Sequence, residues 1–459
     1  MVAESDLESW ANTEFSEAHL GDARLTKRLI LLAEQLSKMP HGSFPHTLTK
    51  AQLKSAYRFF DNKQVDTDGV LGSHIAQTQN RMNQVPVVLA VQDTTEFNLT
   101  HLPATEGLGY CSSKHVRGFM MHSMLAVTPE GLPLGVLGMK AWARDLSELG
   151  KKKQRAKRSI DEKESVKWLE GVKQLTALKA GCPKTHMISV CDREADIYDL
   201  FVAPRPDGVD WLIRASWNRK VDHPDQYLWE AMASASELGC IELNVPARSN
   251  CAQRIAQLAI KCAPVTLRRP CNHPNPNLPN VEVFAIWALE SHPPEGTHPI
   301  EWMLLSSVPT HTQEQALERL TWYARRWTIE TWHRILKSGC QIEHRQLGSL
   351  DRFVRSTALF TVIAWRILYA TLLGRSNPEI SCEVLLQPIE WQALYCRAHN
   401  TKHPPSDPPT LNQAILWIAK LGGYLARKHD LPPGPTVLWR GFMALHEATK
   451  MFQIMHQCD

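Results

Sequence analysis

The sequence carries almost no excess of either charge. Its 459 residues include 51 Lys or Arg and 47 Asp or Glu, which gives a formal net charge of +4 with neutral histidines. This excess is too small to indicate a nucleic-acid partner by itself, because attraction to phosphate depends on strong or concentrated positive charge. Hydrophobic residues make up 43% and charged residues 21% of the chain, which excludes a largely disordered protein.

The eleven cysteines are scattered along the chain and form no C-x-x-C pair. A disulfide framework is therefore not expected, and the thiols should be reduced. Cys262, Cys271 and His273 come nearest to a cluster of zinc ligands, but their spacing fits no standard zinc site.

Long hydrophobic runs are missing as well. The longest apolar stretch, Phe360 to Gly374, is interrupted by Arg366 and is shorter than the roughly 20 residues that cross a bilayer as a helix. The first six residues contain neither a basic region nor an apolar segment, so no signal peptide is predicted. We therefore expect a cytoplasmic protein with no membrane partner.

Positive charge is concentrated in two places. Residues 18–63 contain eight basic and three acidic residues, and residues 151–158, with the sequence KKKQRAKR, carry six positive charges. A run like the second is typical of a solvated loop. The distribution of charge is therefore more informative than its sum.

Helical periodicity is found near both ends of the chain. Residues 17–60 place apolar side chains at helical spacing, and Asp22 is a good N-cap for a helix that begins after it. Helices resume near Thr312, and the last 50 residues predict two more helices, at 411–428 and 437–456.

The middle of the chain is typical of strands. Two short apolar runs, at 86–92 and 186–191, predict buried strands. Two further runs flank a turn within residues 119–142, and residues 205–310 alternate strand-like segments with proline-rich turns. Strands mixed with helices predict an α/β fold.

The segment YARRWTIETWHRILK, residues 323–337, has the most informative pattern. At about 100° per residue, four polar residues fall within an arc of about 60° on one side of a helix: Tyr323, Arg326, Glu330 and Lys337. The apolar residues on the opposite side are Ile329, Trp332 and Leu336. Tyrosine and arginine recur on phosphate-binding surfaces because both donate hydrogen bonds to phosphate oxygens. The carboxylate among them needs another partner, which a divalent metal ion would supply.

A solvated helix surface would show the same pattern. An Arg326–Glu330 pair at i,i+4 adds only a few tenths of a kcal/mol and requires no function. Asp93 and Asp192 follow the two predicted strands, and Asp commonly begins turns. In open α/β sheets, however, binding sites collect at the carboxyl ends of strands, which is where these two residues are predicted to lie.

Asp93, Asp192 and Glu330 together could form a cluster of three carboxylates. Hard oxygen ligands with open positions suit Mg²⁺ or Mn²⁺. Two such ions about 3.5–4 Å apart activate a water or a 3′-hydroxyl and stabilise the leaving oxygen of a phosphodiester. The expected cofactor is therefore two divalent ions per active site.

Three motifs carry a resemblance to a known family. VQDTT at residues 91–95, CDREAD at residues 191–196 and the Y-x2-R-x3-E-x6-K spacing that ends at Lys337 resemble the signatures of the DDE transposases of the bacterial insertion-sequence-four family. The likeness also covers shorter motifs at residues 10–28, 56–59, 161–169, 421–423 and 438–445.

The resemblance implies a fold and a division into domains. The implied core is RNase H-like and carries a β-rich insertion, with helical domains on both sides. On this basis residues 1–70 bind transposon-end DNA, residues 71–374 form the catalytic core with its insertion at about 205–312, and residues 375–459 form a helical dimerisation domain.

The resemblance also implies a reaction and its partners. In cut-and-paste transposition, water nicks one strand, the new 3′-hydroxyl forms a hairpin with the opposite strand, the hairpin is reopened, and the ends join target DNA. The implied partners are double-stranded transposon ends, target DNA and a second copy of the chain in a synaptic complex. The protein would then be associated with the bacterial nucleoid.

Roles for individual residues follow from the same resemblance. The implied catalytic and metal-binding triad is Asp93, Asp192 and Glu330. The residues implied to hold phosphates near the cleaved end are Tyr323, Arg326 and Lys337. Trp302 occupies the position at which the family stacks a flipped base, a contact worth roughly 1–3 kcal/mol. The other implied DNA contacts are Arg214, His333, Arg24, Arg28 and Arg58.

The sequence departs from the family pattern in two places. Leu25 stands where close relatives have another basic residue, so contacts with the end sequence can differ. The basic run at 151–158 has no counterpart in the pattern. Neither departure affects the triad.

Two alternative functions are compatible with parts of this pattern. A metal-dependent nuclease on the same core has no need of the phosphate-binding signature or of a dimerising C-terminal segment. A DNA-binding protein that has lost catalysis would not need the complete triad.

Overall fold

The computed structural model describes residues 9–151, 158–245 and 253–456. Most of the basic run at 151–158 lies outside these residues, and its expected place in a loop stays a prediction.

Five helices form the N-terminal part of the described chain: α1 (Trp10–Phe15), α2 (Ala23–Lys38), α3 (Phe44–Thr47), α4 (Lys50–Asp61) and α5 (Thr67–Met82). Asp22 caps α2 as predicted, because its side chain accepts a hydrogen bond from the backbone N–H of Arg24. A capping box formed by Thr49 and Gln52 begins α4. The predicted helical character of residues 17–60 is therefore confirmed.

The strands form one mixed sheet of ten strands. They are β1 (Val87–Asn98), β2 (Gly109–Tyr110), β3 (Arg117–Val127), β4 (Pro133–Trp142), β5 (His186–Cys191), β6 (Val209–Arg214), β7 (Glu237–Val245), β8 (Arg254–Leu267), β9 (Val281–Glu290) and β10 (Glu301–Ser306). Their order is β2-β3-β1-β5-β6-β10-β9-β8-β7, and β4 also pairs with β3. With helices packed around this sheet, the predicted α/β class is confirmed.

The central strand β1 differs from its prediction. It was expected to end at Asp93, but it continues to Asn98. The reason is that β1 has two different neighbours: its parallel pairing with β5 stops at Val91 opposite Val190, whereas its antiparallel pairing with β3 continues to Asn98. Asp93 therefore lies where the parallel pairing ends, and Asp192 directly follows β5 as predicted.

The β-rich segment extends the central sheet. Strand β6 pairs parallel with β5, and β10 pairs antiparallel with β6. From β10 outward, β9, β8 and β7 add antiparallel strands. The strand-like texture predicted for residues 205–310 is thus found in the fold, with its strands continuous with the strands that carry Asp93 and Asp192.

The remaining helices are α6 (Val166–Lys179), α7 (Tyr198–Phe201), α8 (Leu228–Ser234), α9 (Gln313–Ala324), α10 (Trp327–Arg334), α11 (Leu350–Ser376), α12 (Pro388–His399), α13 (Leu411–Leu421) and α14 (Pro435–His456). Helix α9 begins directly after its N-cap Thr312, which is where helices were predicted to resume. Helix α13 ends at Leu421, earlier than the predicted residue 428. At Gly422 the chain passes so close to the backbone of Val437 that a Cβ atom would lie 1.8 Å from its carbonyl oxygen.

Helix α11 is the main buried helix. It has 27 residues and is long and apolar enough, by length and composition, to span a membrane. The apolar stretch judged too short in the sequence is thus part of a longer helix. Yet 83% of its most apolar window is buried inside the protein, packed against β4, α5 and the C-terminal helices. It acts as a core helix around which the other helices pack.

Arg345 joins the N-terminal helices to this core. Its guanidinium is buried and donates hydrogen bonds to the carbonyl oxygens of Pro40, Gly42 and Cys340. The same group lies 3.9 Å from the ring centroid of Phe360 on α11. A guanidinium can satisfy several carbonyls at once because its donors form a rigid, planar fork.

A second buried contact joins α1, α5 and β4. The backbone N–H of Val136 donates to Nε2 of His74, so the proton of this neutral imidazole lies on Nδ1, which contacts Glu14 at 2.5 Å. Arg81 donates to the other oxygen of Glu14 at 2.7 Å. Burial alone would raise the pKa of Glu14, but its bonds with His74 and Arg81 outweigh burial and lower the pKa from 4.5 to about 2.

The depressed pKa of Glu14 predicts a dependence of stability on pH. A carboxyl with a lower pKa in the folded state stabilises the fold above its unfolded pKa, and this contribution disappears as the pH falls through the folded pKa. We expect Glu14→Gln to lose on the order of 3 kcal/mol near neutral pH. The variant should also show a flatter dependence of its urea midpoint between about pH 4.5 and 2. Glu130→Gln, at an exposed turn, is the control, and equal midpoints for the two variants would contradict the prediction.

Candidate active site

The register of β1 and β5 places two of the predicted carboxylates side by side. The last parallel pair is Val91 with Val190, and Asp93 and Asp192 each follow two residues later. Since side chains alternate between the two faces of a sheet, residues two positions beyond a register pair leave the sheet on the same face. The short distance in space comes from strand pairing between segments that are far apart in the sequence.

The third carboxylate is brought to this place by α10, which packs against β1 and β3. The guanidinium of Arg326 connects it to the sheet: Nη2 lies 2.5 Å from an oxygen of Glu330, and Nη1 lies 3.9 Å from an oxygen of Asp93. The side chain of Arg326 is only 12% exposed. The i,i+4 pair considered in the sequence thus exists, but it faces the sheet and is not a solvated surface pair.

The apolar side of α10 explains this orientation. Ile329, Trp332 and Leu336 are fully buried, as their spacing predicts. Their burial against the core, with the indole N–H of Trp332 bonded to the carbonyl of Thr361 on α11, leaves the opposite side of the helix toward the carboxylates.

The prediction of one continuous helix from 323 to 337 is wrong. Helix α9 ends at Ala324, α10 begins at Trp327, and residues 335–339 form a wide π-turn. These two irregularities change the directions of the residues on either side, and a π-turn of this kind is common at functional sites.

Tyr323 lies before the first of these irregularities, and Lys337 lies within the second. Tyr323 is buried, lies near Arg214, and packs edge-on against Trp302 at 5.4 Å between ring centroids. Burial raises the pKa of its hydroxyl. Lys337 lies with its Nζ 5.5 Å from the ring centroid of Phe97, which is on the part of β1 beyond Asp93.

The carboxylates are held in a partly dehydrated environment. Burial is the main cause that raises the pKa of Asp93 to about 7; Arg326 lowers it, and the charges of Asp192 and Glu330 raise it further. Burial also raises the pKa of Asp192. Such perturbed carboxyl groups in one place are typical of functional sites.

His333 was expected to contact DNA, and its position argues against this. Its imidazole is buried, with Nε2 at 2.8 Å from the hydroxyl of Ser123 and Nδ1 at 3.7 Å from an oxygen of Asp93. Burial, aided by the charges of Lys337 and Arg326, lowers its pKa to about 3, so the ring is neutral. His333 therefore lies beside Asp93 inside the protein, because α10 packs against β1 and β3 and buries this residue between the helix and the sheet.

The donor set of this site fits a hard divalent cation. Carboxylate oxygens are the preferred ligands of Mg²⁺ and Mn²⁺, and burial, the main cause of the two raised pKa values, leaves the carboxyl groups of Asp93 and Asp192 partly dehydrated. Within the described ranges, no three His, Cys, Asp or Glu side chains already surround a common point. The carboxylate of Glu330 is not free to join such a group, because it is already paired with the guanidinium of Arg326.

The possible zinc cluster does not form. The thiol of Cys262 contacts the carbonyl of Thr310 at 3.1 Å, and His273 contacts Asp199 at 3.2 Å. These two potential ligands thus have other partners.

One exposed aromatic residue at the site was missed by the sequence analysis. Trp327, the first residue of α10, is 54% exposed although it lies beside Arg326, whose guanidinium carbon is 5.5 Å from its ring centroid. Trp302, which was predicted to stack on a base, is only partly exposed. The signal for Trp327 was its place on the polar side of the segment next to Arg326.

The predicted DNA contacts of the N-terminal helices lie on α2 and α4. Arg24 is exposed but pairs with the capping Asp22 at 2.8 Å. Arg28 is half-buried on α2, and Arg58 is exposed on α4. Arg214, on β6, donates to the carbonyl of Glu301 at 2.8 Å and lies near Tyr323 and Arg326.

Comparison with known protein families gives two matches, both in helical segments. Residues 7–65 match the family described as transposase DNA-binding. Residues 362–451 match the family described as the transposase Tn5 dimerisation domain. The two matches support a Tn5-like transposase that binds DNA and dimerises, and the sheet with its carboxylates lies between the matched segments.

The crowding of carboxylates predicts opposite effects of one substitution in the absence and presence of metal. Asp93→Asn removes a buried charge beside Asp192 and Glu330, so the variant should melt at a higher temperature than the wild type without metal. Mn²⁺ should stabilise the wild type through linkage and should not stabilise Asp93→Asn. Thermal denaturation with and without Mn²⁺ measures both effects. Glu130→Gln, at an exposed turn, should behave as the wild type; an unchanged Mn²⁺ response in Asp93→Asn would refute the assignment.

Proposed function

We propose that this chain is a DDE transposase of the bacterial insertion-sequence-four family, of the transposon-five type, which moves a DNA element by cut-and-paste transposition through a hairpin intermediate. The observation that carries the proposal is that Arg326 pairs with Glu330 and lies 3.9 Å from Asp93, while Asp192 follows the strand that pairs with the strand of Asp93. These residues lie between a segment that matches a DNA-binding family and one that matches a dimerisation family.

The proposed division into domains follows this arrangement. Residues 1–70 would hold transposon-end DNA, with Arg24, Arg28 and Arg58 as candidate contacts. Residues 71–374 would form the RNase H-like core, in which the mixed sheet supports the carboxylates and the strands of the β-rich insertion extend it. Residues 375–459 would form the dimerisation domain.

Asp93, Asp192 and Glu330 would hold the divalent ions, Mg²⁺ or Mn²⁺, with two ions per active site. When bound, such ions activate a water or a 3′-hydroxyl and stabilise the leaving oxygen of a phosphodiester. The sheet contributes fixed positions for the two aspartates, and the buried side of α10 fixes Glu330. His333 and Ser123 contribute a neutral support behind Asp93.

The cations around the carboxylates would bind the DNA backbone. Arg326 and Arg214 both lie close to Tyr323, and Arg326 also lies close to Asp192. Their guanidinium groups can each donate two hydrogen bonds to a phosphate. Tyr323 would add its hydroxyl, although its ring is buried and offers little surface to DNA. Lys337 would add a positive charge beside Phe97, on the part of β1 that lies beyond Asp93.

Aromatic residues at the site would hold an extruded base. Trp302 is the residue implied by the family resemblance, and Trp327 offers the larger exposed ring. Stacking on such rings is worth roughly 1–3 kcal/mol per base and offsets part of the cost of unstacking the base from the duplex. Both lie next to the polar side chains that would hold the phosphates.

A metal-dependent nuclease remains the second candidate, because the carboxylate cluster alone would suffice for hydrolysis. The dimerisation match favours the transposase, since bringing two DNA ends together requires two copies of the chain. The proposed partners are transposon-end DNA, target DNA and a second copy of the chain, and the proposed location is the bacterial cytoplasm, at the nucleoid.

The first prediction from this proposal separates binding from catalysis. Asp192→Asn should bind transposon-end DNA with the affinity of the wild type, because asparagine keeps the shape of the side chain and an ionised carboxylate has no hydrogen-bond donor for a phosphate. All metal-dependent steps should be lost: nicking, hairpin formation on a pre-cut end, and strand transfer. Gel-shift and cleavage assays on the same duplex measure both.

Two outcomes of this experiment would contradict the proposal. Hairpin formation that persists in Asp192→Asn would show that this carboxylate is not part of the active site. A wild-type protein that degrades any duplex without producing hairpins or joined ends would favour the nuclease.

The second prediction concerns the dimer. Met451, Ile454 and Met455 are each more than half exposed and lie at spacings of three and four residues on the last turns of α14. Apolar residues in such a row indicate a contact surface, and Met451 falls in the segment that matches the dimerisation family.

We expect Ile454→Glu to reduce the complex that contains two DNA ends by at least about tenfold, because a buried carboxylate at an apolar interface costs more than 1.4 kcal/mol. Binding of one chain to one end should persist. Gln453→Glu places the same charge on another side of the same helical turn and should leave the paired complex intact. Native gels with end duplexes of two lengths measure the pairing, and equal pairing by both variants would argue for a different interface.

A further inference from the structure

A cavity of about 640 Å³ lies where three parts of the chain meet. His41 comes from the loop between α2 and α3, Arg334 and Ser338 come from α10 and the π-turn after it, and Arg440 comes from the second turn of α14. Gln341 completes the polar lining, and the largely buried Trp439 forms part of the wall. The lining of this cavity includes none of the three carboxylates, although Arg334 follows Glu330 by four residues on α10.

The charge of the cavity is of one sign. Its lining includes two arginines and a histidine, together with hydroxyl and amide donors, and contains no Asp or Glu. Arg334 and Arg440 are both exposed, and neither has an ion-pair partner in the described part of the chain. By contrast, Arg24, Arg326 and Arg352 each pair with a carboxylate. Two unpaired guanidinium groups facing one concave surface indicate an anionic ligand.

We propose that this cavity binds a phosphodiester of the DNA backbone, and this inference rests on the proposed function. The guanidinium forks of Arg334 and Arg440 match phosphate oxygens in geometry and charge, and the hydroxyl of Ser338 and the amide of Gln341 add uncharged donors. Contacts of this kind fix the position of DNA without reading its sequence. The site is thus a positioning site for DNA outside the catalytic cluster.

The position of the cavity determines what a phosphate bound there would do. His41 lies in the segment that matches the DNA-binding family, and Arg440 lies in the segment that matches the dimerisation family. Arg334 is on the same helix as Glu330. A phosphate held here connects the three segments, so the backbone of the DNA is fixed relative to the helix that carries the catalytic carboxylate.

The test is the salt dependence of DNA binding without divalent metal. For duplex DNA, each phosphate neutralised by the protein contributes about 0.9 to the slope of log affinity against log salt concentration. We expect Arg334→Gln combined with Arg440→Gln to reduce the magnitude of this slope by about 1 and to weaken binding to all duplex sequences alike. The probe is a duplex with the terminal repeat of the element, and an unrelated duplex of equal length serves for comparison.

Arg397→Gln combined with Arg427→Gln is the matched control. These two arginines are also exposed and also lie in the C-terminal part of the chain, so the control loses the same charge without changing the cavity. Its slope should stay within experimental error of the wild-type slope. Equal melting temperatures for both double variants and the wild type show that the comparison concerns folded protein.

The outcomes separate this proposal from the function on which it rests. A wild-type protein with a steep slope and a cavity variant with the same slope would overturn the phosphodiester site and leave the transposase proposal intact. A wild-type protein that does not bind duplex DNA would overturn both. Equal loss of slope in the control variant would also overturn the site, because the effect would then follow net charge alone. A reduction confined to the cavity variant supports it.

Discussion

The parallel pairing of β1 with β5 is the constraint on which the candidate site depends. It joins segments that are almost a hundred residues apart in the sequence and places Asp93 next to Asp192 at the point where the pairing stops. The antiparallel pairing of β1 with β3 continues beyond this point and keeps Asp93 within a hydrogen-bonded strand. A shift of the register by one residue would send one of the two carboxylates to the other face of the sheet.

Crowding of negative charge has a cost that the surrounding residues reduce. Burial and the neighbouring carboxylates raise the pKa of Asp93, while Arg326 provides a compensating cation between Asp93 and Glu330. The apolar side of α10 fixes this cation on the inner surface, because Trp332 and its neighbours are packed against α11. The packing of α10 also holds Glu330 next to Arg326 near the sheet, although about one-third of its side chain remains exposed.

The helical segments at both ends are attached to the core by buried polar groups as well as by apolar packing. Arg345 holds the loop after α2 through main-chain carbonyls, and Glu14 joins α1 to α5 through His74 and Arg81. Such contacts are directional, so they fix how the segment that matches a DNA-binding family sits relative to the sheet. The C-terminal helices pack against α11 and against the N-terminal α2, so that parts of the chain from both ends border α10 and the π-turn after it.

The sequence by itself determined the local features that depend on short spacings. The capping of α2 by Asp22, the strands in the middle of the chain and the buried side of the segment around Trp332 followed from periodicity and side-chain chemistry. Motif order also suggested the family before any contact was known. These features were predictable because each depends on neighbours within a few residues.

Only the tertiary structure decided which of the polar residues meet and which are buried. The turn at Arg325 and the π-turn after α10 interrupted the ideal helix between Tyr323 and Lys337, and packing against the sheet buried His333 beside Ser123 and Asp93. The exposure of Trp327 and the position of Arg334 and Arg440 around one cavity likewise depend on how distant segments pack. Periodicity predicts on which side of a helix a residue lies, whereas the packing of strands and helices decides what that side contacts.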